Sequence, residues 1–237
     1  MKIIKPELHI PVYNGIDIMK NIEKACRTCY RSEDKITEDS YKKLITNCIT
    51  RGHESVLEHE KITIRMVCDV GCYKDLTRHR IASFSIESTR YCNYNKDKFG
   101  NEIKFIEPIF YENRHPDEYD DIKDVRNALK TEYWVTCMEN IEASYMQMNQ
   151  IQGITPDELR MLLPHSTAAE VTMTANIREW KHILSLRASK HTHPSIQQLM
   201  IPLLLDFKKQ MPEIFDVVEY NKDFPTDKYA KVIKEVL

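Results

Sequence analysis

Apolar and polar positions alternate along the chain in a way that lays out a series of elements. Lys61–Val70 sets Ile62, Ile64, Met66 and Cys68 at every second position, the period of a strand with one buried face. Lys2–Val12 reads as another strand, Phe105–Ile106 as a short one, and the β-branched stretch Thr167–Thr174 as a fourth. Helical spacing marks Asp17–Arg31 and Glu38–Arg51, and a short helix is predicted from Gly71. A long helix is predicted to open at Pro116–Tyr119 and run through Gln150. Its stripe is Val125, Leu129, Tyr133, Met138, Ile141 and Tyr145, and Gly153 stops it. Thr155-Pro156-Asp157-Glu158 has the residue order of a capping box with proline at the first helical position. A helix carrying Arg160 therefore follows and ends by Pro164. Asn176–Ser189 and Ser195–Gln210 complete the series, the second bent or interrupted at Pro202. Helices with few strands indicate an α/β or α+β chain, and no repeat or Gly/Ser linker divides it.

Composition narrows the chemistry. At 237 residues the chain suits one domain with a real core. Its net charge of -2, with 30% charged residues, gives no global field toward nucleic acid or membrane, so any anion site is local. The longest apolar run, Leu199–Leu205, is too short to span a bilayer, and MKIIKPELHI lacks the apolar stretch of a signal peptide. A cytoplasmic protein is expected. Five glycines form neither G-x-G-x-x-G nor a P-loop, so a bound nucleotide is not held in the Rossmann manner. Seven scattered cysteines argue against a disulfide framework. Cys26 and Cys29 spell C-x-x-C, but they continue the apolar positions Ile18, Ile22 and Ala25 and are expected in the core.

Against this background Arg78–Tyr91, RHRIASFSIESTRY, stands out, with three arginines and one glutamate. Arg78 and Arg80 alone suit a helix C-terminus, where cations offset the dipole. Ser83, Ser85, Ser88 and Thr89 alone suit a loop, and a serine without a positioned base is a poor nucleophile. Together with Arg90 they offer guanidinium, hydroxyl and backbone donors in one piece, which suits a phosphomonoester. Gly52-His53-Glu54-Ser55-Val56-Leu57-Glu58-His59 adds two histidines and two carboxylates, at the wrong spacing for a zinc helix, and no metal is expected. On the Asn176–His191 segment, at about 100° per residue, Arg178 and His182 share one face while Arg187 falls nearly opposite Arg178 and beneath Asn176. A surface helix needs one polar face. Either one of these two faces is merely solvated, or the helix lies between two ligands or two subunits.

Arg78-His79-Arg80, seven residues, Ser88 and then Arg90-Tyr91 resemble the signature of the flavin-dependent thymidylate synthases. The Gly52–His59 segment, Leu159–Pro164, Asn176–His191 and Ile196-Gln197-Gln198 are similar to that family's segments in the same order, across most of residues 10 to 215. The resemblance implies one synthase domain over residues 1–237, with an α/β (α+β) fold whose small, mostly antiparallel sheet is flanked by long helices. It implies a homotetramer with flavin sites at subunit interfaces. The implied reaction is the reductive methylation of dUMP to dTMP, with methylenetetrahydrofolate as one-carbon donor, FAD as cofactor and NADPH as reductant. By position, Ser55, Arg78, His79, Arg80, Asn176, Arg178 and His182 would contact FAD, with His53 near the flavin ring. Ser88, Thr89, Arg90 and Arg160 would hold dUMP, joined by Arg78, and Arg187 would be the catalytic residue against the pyrimidine.

The physics of that last role is independent of the family. Uracil C5 is a reluctant carbon nucleophile, and a permanent planar cation at the carbonyl and N3 edge stabilises the enolate-like form that attacks. Ser88 is expected to position the nucleotide rather than to be covalently modified. Two positions depart from the family's pattern. Asn-Glu is common where Ser85-Ile86 stand, the acid here being Glu87, and Asp75 stands where a glutamine is expected beside the nucleotide. Glu87 is assigned to both FAD and dUMP, and Asp75 to dUMP. A one-residue shift in an extended segment sends a side chain to the other side, so either the backbone is bulged or helical there or the acid's role has moved. Two other readings stand beside this one: a folate- and flavin-using methyltransferase of another pyrimidine nucleotide, and a non-catalytic nucleotide- or RNA-binding module, which the balanced charge disfavours. Lys228–Leu237 reads as an amphipathic tail.

Overall fold

The computed structural model describes residues 1–111 and 122–236; Pro116–Tyr119, where the long helix is expected to open, lie outside the described residues. The strands are β1 (Lys2–Ile4), β2 (Glu7–Pro11), β3 (Lys61–Asp69), β4 (Ala82–Ile86), β5 (Lys104–Ile106), β6 (Ala168–Asn176) and β7 (Lys231–Glu235). The helices are α1 (Gly15–Thr28), α2 (Ser40–Thr50), α3 (Val70–Leu76), α4 (Ile122–Met148), α5 (Pro156–Leu159), α6 (Ile177–Arg187), α7 (Pro194–Gln210) and α8 (Pro212–Phe215). Among the described residues no helix is long and apolar enough to cross a membrane.

Five strands form a sheet in the order β4-β6-β3-β2-β7, while β1 and β5 pair in parallel as a separate ribbon. β2 and β7 are also parallel. β3 and β6 run antiparallel: Ile177 N–H donates to Glu60 O at 2.9 Å, and three residues further along one strand and back along the other the Thr63 and Thr174 hydroxyls meet at 2.8 Å. β3 buries Ile62, Ile64, Met66 and Cys68 as its alternation predicts. The strand expected over Lys2–Val12 is two strands, because Pro6 has no N–H to continue a ladder. The tail expected at Lys228–Leu237 contains a strand, β7, held at its end by Glu235, which bonds His9 Nδ1 at 2.5 Å and pairs with Arg65.

The chain divides into two compact units. The first gathers Met1–Pro6, Val67–Asp75 and Ile86–Val171. Its core joins Tyr94, Ile103, Phe105, Met138, Tyr145 and Leu159. On α4 the inward residues are Ala128, Met138 and Tyr145, while Leu129 and Tyr133 face solvent. Steps of four residues drift about 40° each around a helix, which carries Leu129 and Tyr133 of the expected stripe off the face that Met138 and Tyr145 keep buried.

The second unit gathers Glu7–Met66, Leu76–Ser85 and Thr172–Leu237. Its centre is Trp180, whose ring meets Phe207 edge-on at 5.9 Å and whose indole N–H donates to Ile62 O at 2.9 Å. α7 runs uninterrupted through Pro202, where Met200, Ile201, Leu203 and Leu204 are fully buried. That burial offsets the roughly 3 kcal/mol an interior proline costs. Cys26 is buried with its Sγ 3.7 Å from Cys48 Sγ, whereas Cys29 is exposed, because α1 ends at Thr28 and leaves Cys29 as its cap outside the apolar stripe.

Candidate active site

In the second unit the site is built on α6 and on the short 3₁₀ turn Glu54–His59. α2 ends in a Schellman motif: Gly52 has φ +70°, its N–H donates to Ile49 O at 3.1 Å, and His53 N–H donates to Cys48 O at 2.8 Å. This reversal frees His53 and Ser55 to solvent and sends Glu54 and Glu58 toward α6. Glu58 pairs with Arg178 at 2.5 Å and Glu54 pairs with Lys181. α6 starts where Asn176 Oδ1 accepts from Glu179 N–H at 2.8 Å. Its apolar residues Ile177, Trp180, Ile183 and Leu184 are buried, which turns Arg178, Lys181, His182 and Ser185 to a cleft of about 740 Å³. Ile81, Glu58 and the stretch Val217–Glu219 complete the wall.

The second polar side of α6 is held by His79, which is 7% exposed. Arg187 Nε–H donates to His79 Nε2 at 2.9 Å, Glu179 Oε1 lies 3.5 Å from His79 Nδ1, and the His182 ring meets the His79 ring edge-on at 6.0 Å. Burial, then the Arg187 charge and His182, hold the His79 imidazole down at about 4, so it is neutral at neutral pH. Burial pushes the Glu179 carboxyl up, with His182 opposing. Arg78 and Arg80 are exposed and form no ion pair among the described residues.

The first unit holds the other half of the arginine segment. Glu87 N–H donates to Glu170 O at 2.9 Å, so extended backbone continues past β4 with no helical turn. The Glu87 carboxylate accepts from Tyr94 Oη at 3.1 Å and from Glu170 N–H at 3.4 Å. The shifted acid thus faces a buried tyrosine, whose hydroxyl is pushed above its ordinary range by burial and by Glu87. Ser88 O accepts from Tyr91 and Cys92 N–H, both at 3.0 Å, in a turn that presents Thr89 and Arg90.

Arg90 and Arg160 converge on one atom. Asp157 Oδ1 lies 3.3 Å from Arg90 Nε and 3.0 Å from Arg160 Nε, and all three side chains are about half exposed. The capping box places them: Thr155 Oγ1 accepts from Glu158 N–H at 3.3 Å, Glu158 Oε2 accepts from Thr155 N–H at 2.8 Å, and Leu159 anchors the turn in the core. Asp75 is half-buried in α3.

The structure therefore brings Asn176, Arg178 and His182 onto one cleft, His79, His182 and Arg187 into one contact network, and Arg90 and Arg160 onto one carboxylate. Sequence reasoning missed Asp157, Glu179 and Lys181. Asp157 was visible three residues before Arg160, the spacing of an ion pair on a helical turn. Glu179 had no signal beyond its place in the first turn of α6.

Residues 15–213 match the family model described as thymidylate synthase complementing protein. A flavin-dependent thymidylate synthase of Thermosipho africanus is 30% identical over 195 residues, covering 81% of this chain and 82% of that protein. Among solved structures, a UMP/dUMP methylase PolB from Streptomyces cacaoi bound with 5-Br dUMP superposes with a TM-score of 0.71 at 22% identity, over 91% of this chain and 96% of that one. Thymidylate synthase X from Helicobacter pylori, with FAD and dUMP, gives a TM-score of 0.66 at 22% identity, over 89% and 97%. These two likenesses are of fold.

Proposed function

This chain belongs to the flavin-dependent thymidylate synthases, and we propose that it converts dUMP to dTMP with methylenetetrahydrofolate as one-carbon donor, FAD as cofactor and NADPH as reductant. The observation that carries the substrate assignment is the convergence of Arg90 and Arg160 on a single carboxylate oxygen. Two guanidiniums from separate segments, already gathered around an anion, suit a terminal phosphate, with Ser88 and Thr89 adding hydroxyl donors. Ser88 has no base among its recorded partners and serves to position the nucleotide.

The second unit fits a dinucleotide. The cleft lies within the roughly 300–1,000 Å³ range of ligand sites, and Arg178, Lys181 and His182 supply cationic and donor groups. Asn176 and His182 would orient the cofactor, while Arg78, Arg80, Ser55 and His53 lie exposed on neighbouring segments. Once reduced by NADPH, bound FAD would supply the hydride that brings the transferred one-carbon unit to a methyl group. Arg187 holds positive charge at the uracil carbonyl and N3 edge while C5 attacks, and its guanidinium neither gives nor takes a proton in that step. Glu87, engaged with Tyr94, would reach the nucleotide only through the turn that it steadies, and Asp75 remains assigned to dUMP by position alone.

The reading extends to one synthase domain, supported by a family match that takes in residues of both units, and to a homotetramer acting on no nucleic acid or membrane. Seven free cysteines support a cytoplasmic location. The test is direct: purified protein should be yellow, bleach with NADPH, and form dTMP from dUMP and methylenetetrahydrofolate. A colourless protein that retains RNA would overturn the assignment, and methylation of UMP in preference to dUMP would replace the substrate.

A further inference from the structure

Arg187 meets a buried histidine from a distant segment of the chain, and the chemistry of that contact is directional. An arginine can only donate, so His79 Nε2, at 2.9 Å from Arg187 Nε, must be the unprotonated ring nitrogen. The proton of the neutral imidazole therefore sits on Nδ1, which faces Glu179 Oε1 at 3.5 Å. His79 and Glu179 are 7% and 8% exposed, so both groups are withdrawn from water, with His79 bonded to Arg187 through Nε2 and facing Glu179 through Nδ1. With both ring nitrogens turned to protein groups, His79 is poorly placed to serve a ligand directly.

We propose that Glu179 and His79 are positioning residues for Arg187: the carboxylate fixes the histidine's tautomer, and the histidine fixes the direction of the guanidinium. The proposal rests on the reading of Arg187 as the cation that faces the pyrimidine. A free arginine side chain has rotamer freedom to lose on binding, and a guanidinium aimed in advance does not have to lose it when the nucleotide binds. Electrostatic stabilisation depends on such pre-set donors, and misplacing a group by about 1 Å costs up to about 100-fold in rate. The contact also needs neutral histidine, since imidazolium would set two donors and two cations against each other. The charged and titratable groups recorded around the ring are Arg187, Glu179 and His182.

The test compares Arg187→Ala, His79→Phe, His79→Gln and Glu179→Gln in flavin-loaded enzyme. The readouts are kcat for dTMP, dUMP affinity by calorimetry, flavin absorbance per chain and the thermal melt. His79→Phe, which fills the space without an acceptor, should lower kcat by about 10- to 100-fold with flavin content unchanged. His79→Gln, which restores an oxygen near the Nε2 position, should recover about tenfold of that loss. Glu179→Gln is nearly isosteric and gives an independent reading even where phenylalanine disturbs the fold. It should lower kcat several-fold at unchanged flavin content, and an unaltered kcat removes Glu179 from the relay. Loss of flavin in step with activity in His79→Phe would mean that His79 serves the cofactor, and full turnover in that variant would overturn the relay outright. Full turnover in Arg187→Ala would instead sink the reading on which the relay depends.

Discussion

Asp157 spends one oxygen on two arginines, and its charge and its geometry act in opposite directions on a phosphate. The half-exposed pairs with Arg90 and Arg160 are each worth about 0–1 kcal/mol. A carboxylate about 5 Å from a nucleotide phosphate in a wet site repels each of its charges by about 1 kcal/mol. Asp157→Asn keeps an oxygen between the guanidiniums and removes the repulsion, so dUMP should bind about 3- to 10-fold tighter by calorimetry. Weaker binding would mean that the grip on the arginines outweighs the charge. Arg187→Ala should lose dTMP formation while the purified protein stays yellow; colourless protein would count against its place at the pyrimidine. His79 adds a stability effect. Its folded value of about 4 lies below its ordinary 6.5, so the unfolded chain binds more protons between those values. The resulting stability is complete above about pH 6.5 and is lost as pH falls toward 4, by about 3 kcal/mol in all. Urea titrations at pH 7 and pH 4.5 should therefore show a steeper fall for the parent than for His79→Gln, and equal falls would refute the assignment.

Elements whose signals are local were legible, and those defined by distant partners were not. β3 carries its alternation within itself, and the capping box at Thr155–Glu158 is written in four adjacent residues. β7 is a strand because β2, from the far end of the chain, supplies its ladder, and Glu235 finds Arg65 and His9 only in the folded molecule. Gly15 shows the same dependence at a single position. It opens α1, and a Cβ there would lie 2.1 Å from Gln210 O at the end of α7. Backbone cannot step aside as a flexible side chain can, so Gly15→Ala should destabilise by about 1–3 kcal/mol despite alanine's better helix propensity. A thermal melt measures it, and an unchanged or raised Tm would show that the two helix ends are not in that contact.

At the scale of the whole molecule, the site's residue types were readable from sequence, but their compensation was not. Of the three arginines in Arg78–Tyr91, Arg90 is met by Asp157 far along the chain while Arg78 and Arg80 form no ion pair among the described residues, and on α6 Arg178 and Lys181 are met by Glu58 and Glu54. Linear spacing cannot show which acid a fold delivers to which base. Assembly belongs to this scale as well. The outward side of α4 leaves Tyr133 74% exposed and Leu129 42% exposed, beside a groove of about 380 Å³ lined by Tyr133, Cys137, Ile141 and Leu162. Met161 is 80% exposed on the neighbouring turn. A run of large apolar side chains in water is the mark of a surface that another molecule covers. For the proposed homotetramer, light scattering should give a mass four times that of the 28.0 kDa chain. Tyr133→Glu places a charge in that face, so it should lower the mass and, on the reading that the flavin sites lie at subunit interfaces, release flavin in parallel. Parent protein that remains a single chain at micromolar concentration with flavin bound would remove both the tetramer and the shared site, whereas Tyr133→Glu tetramers would only move the interface elsewhere.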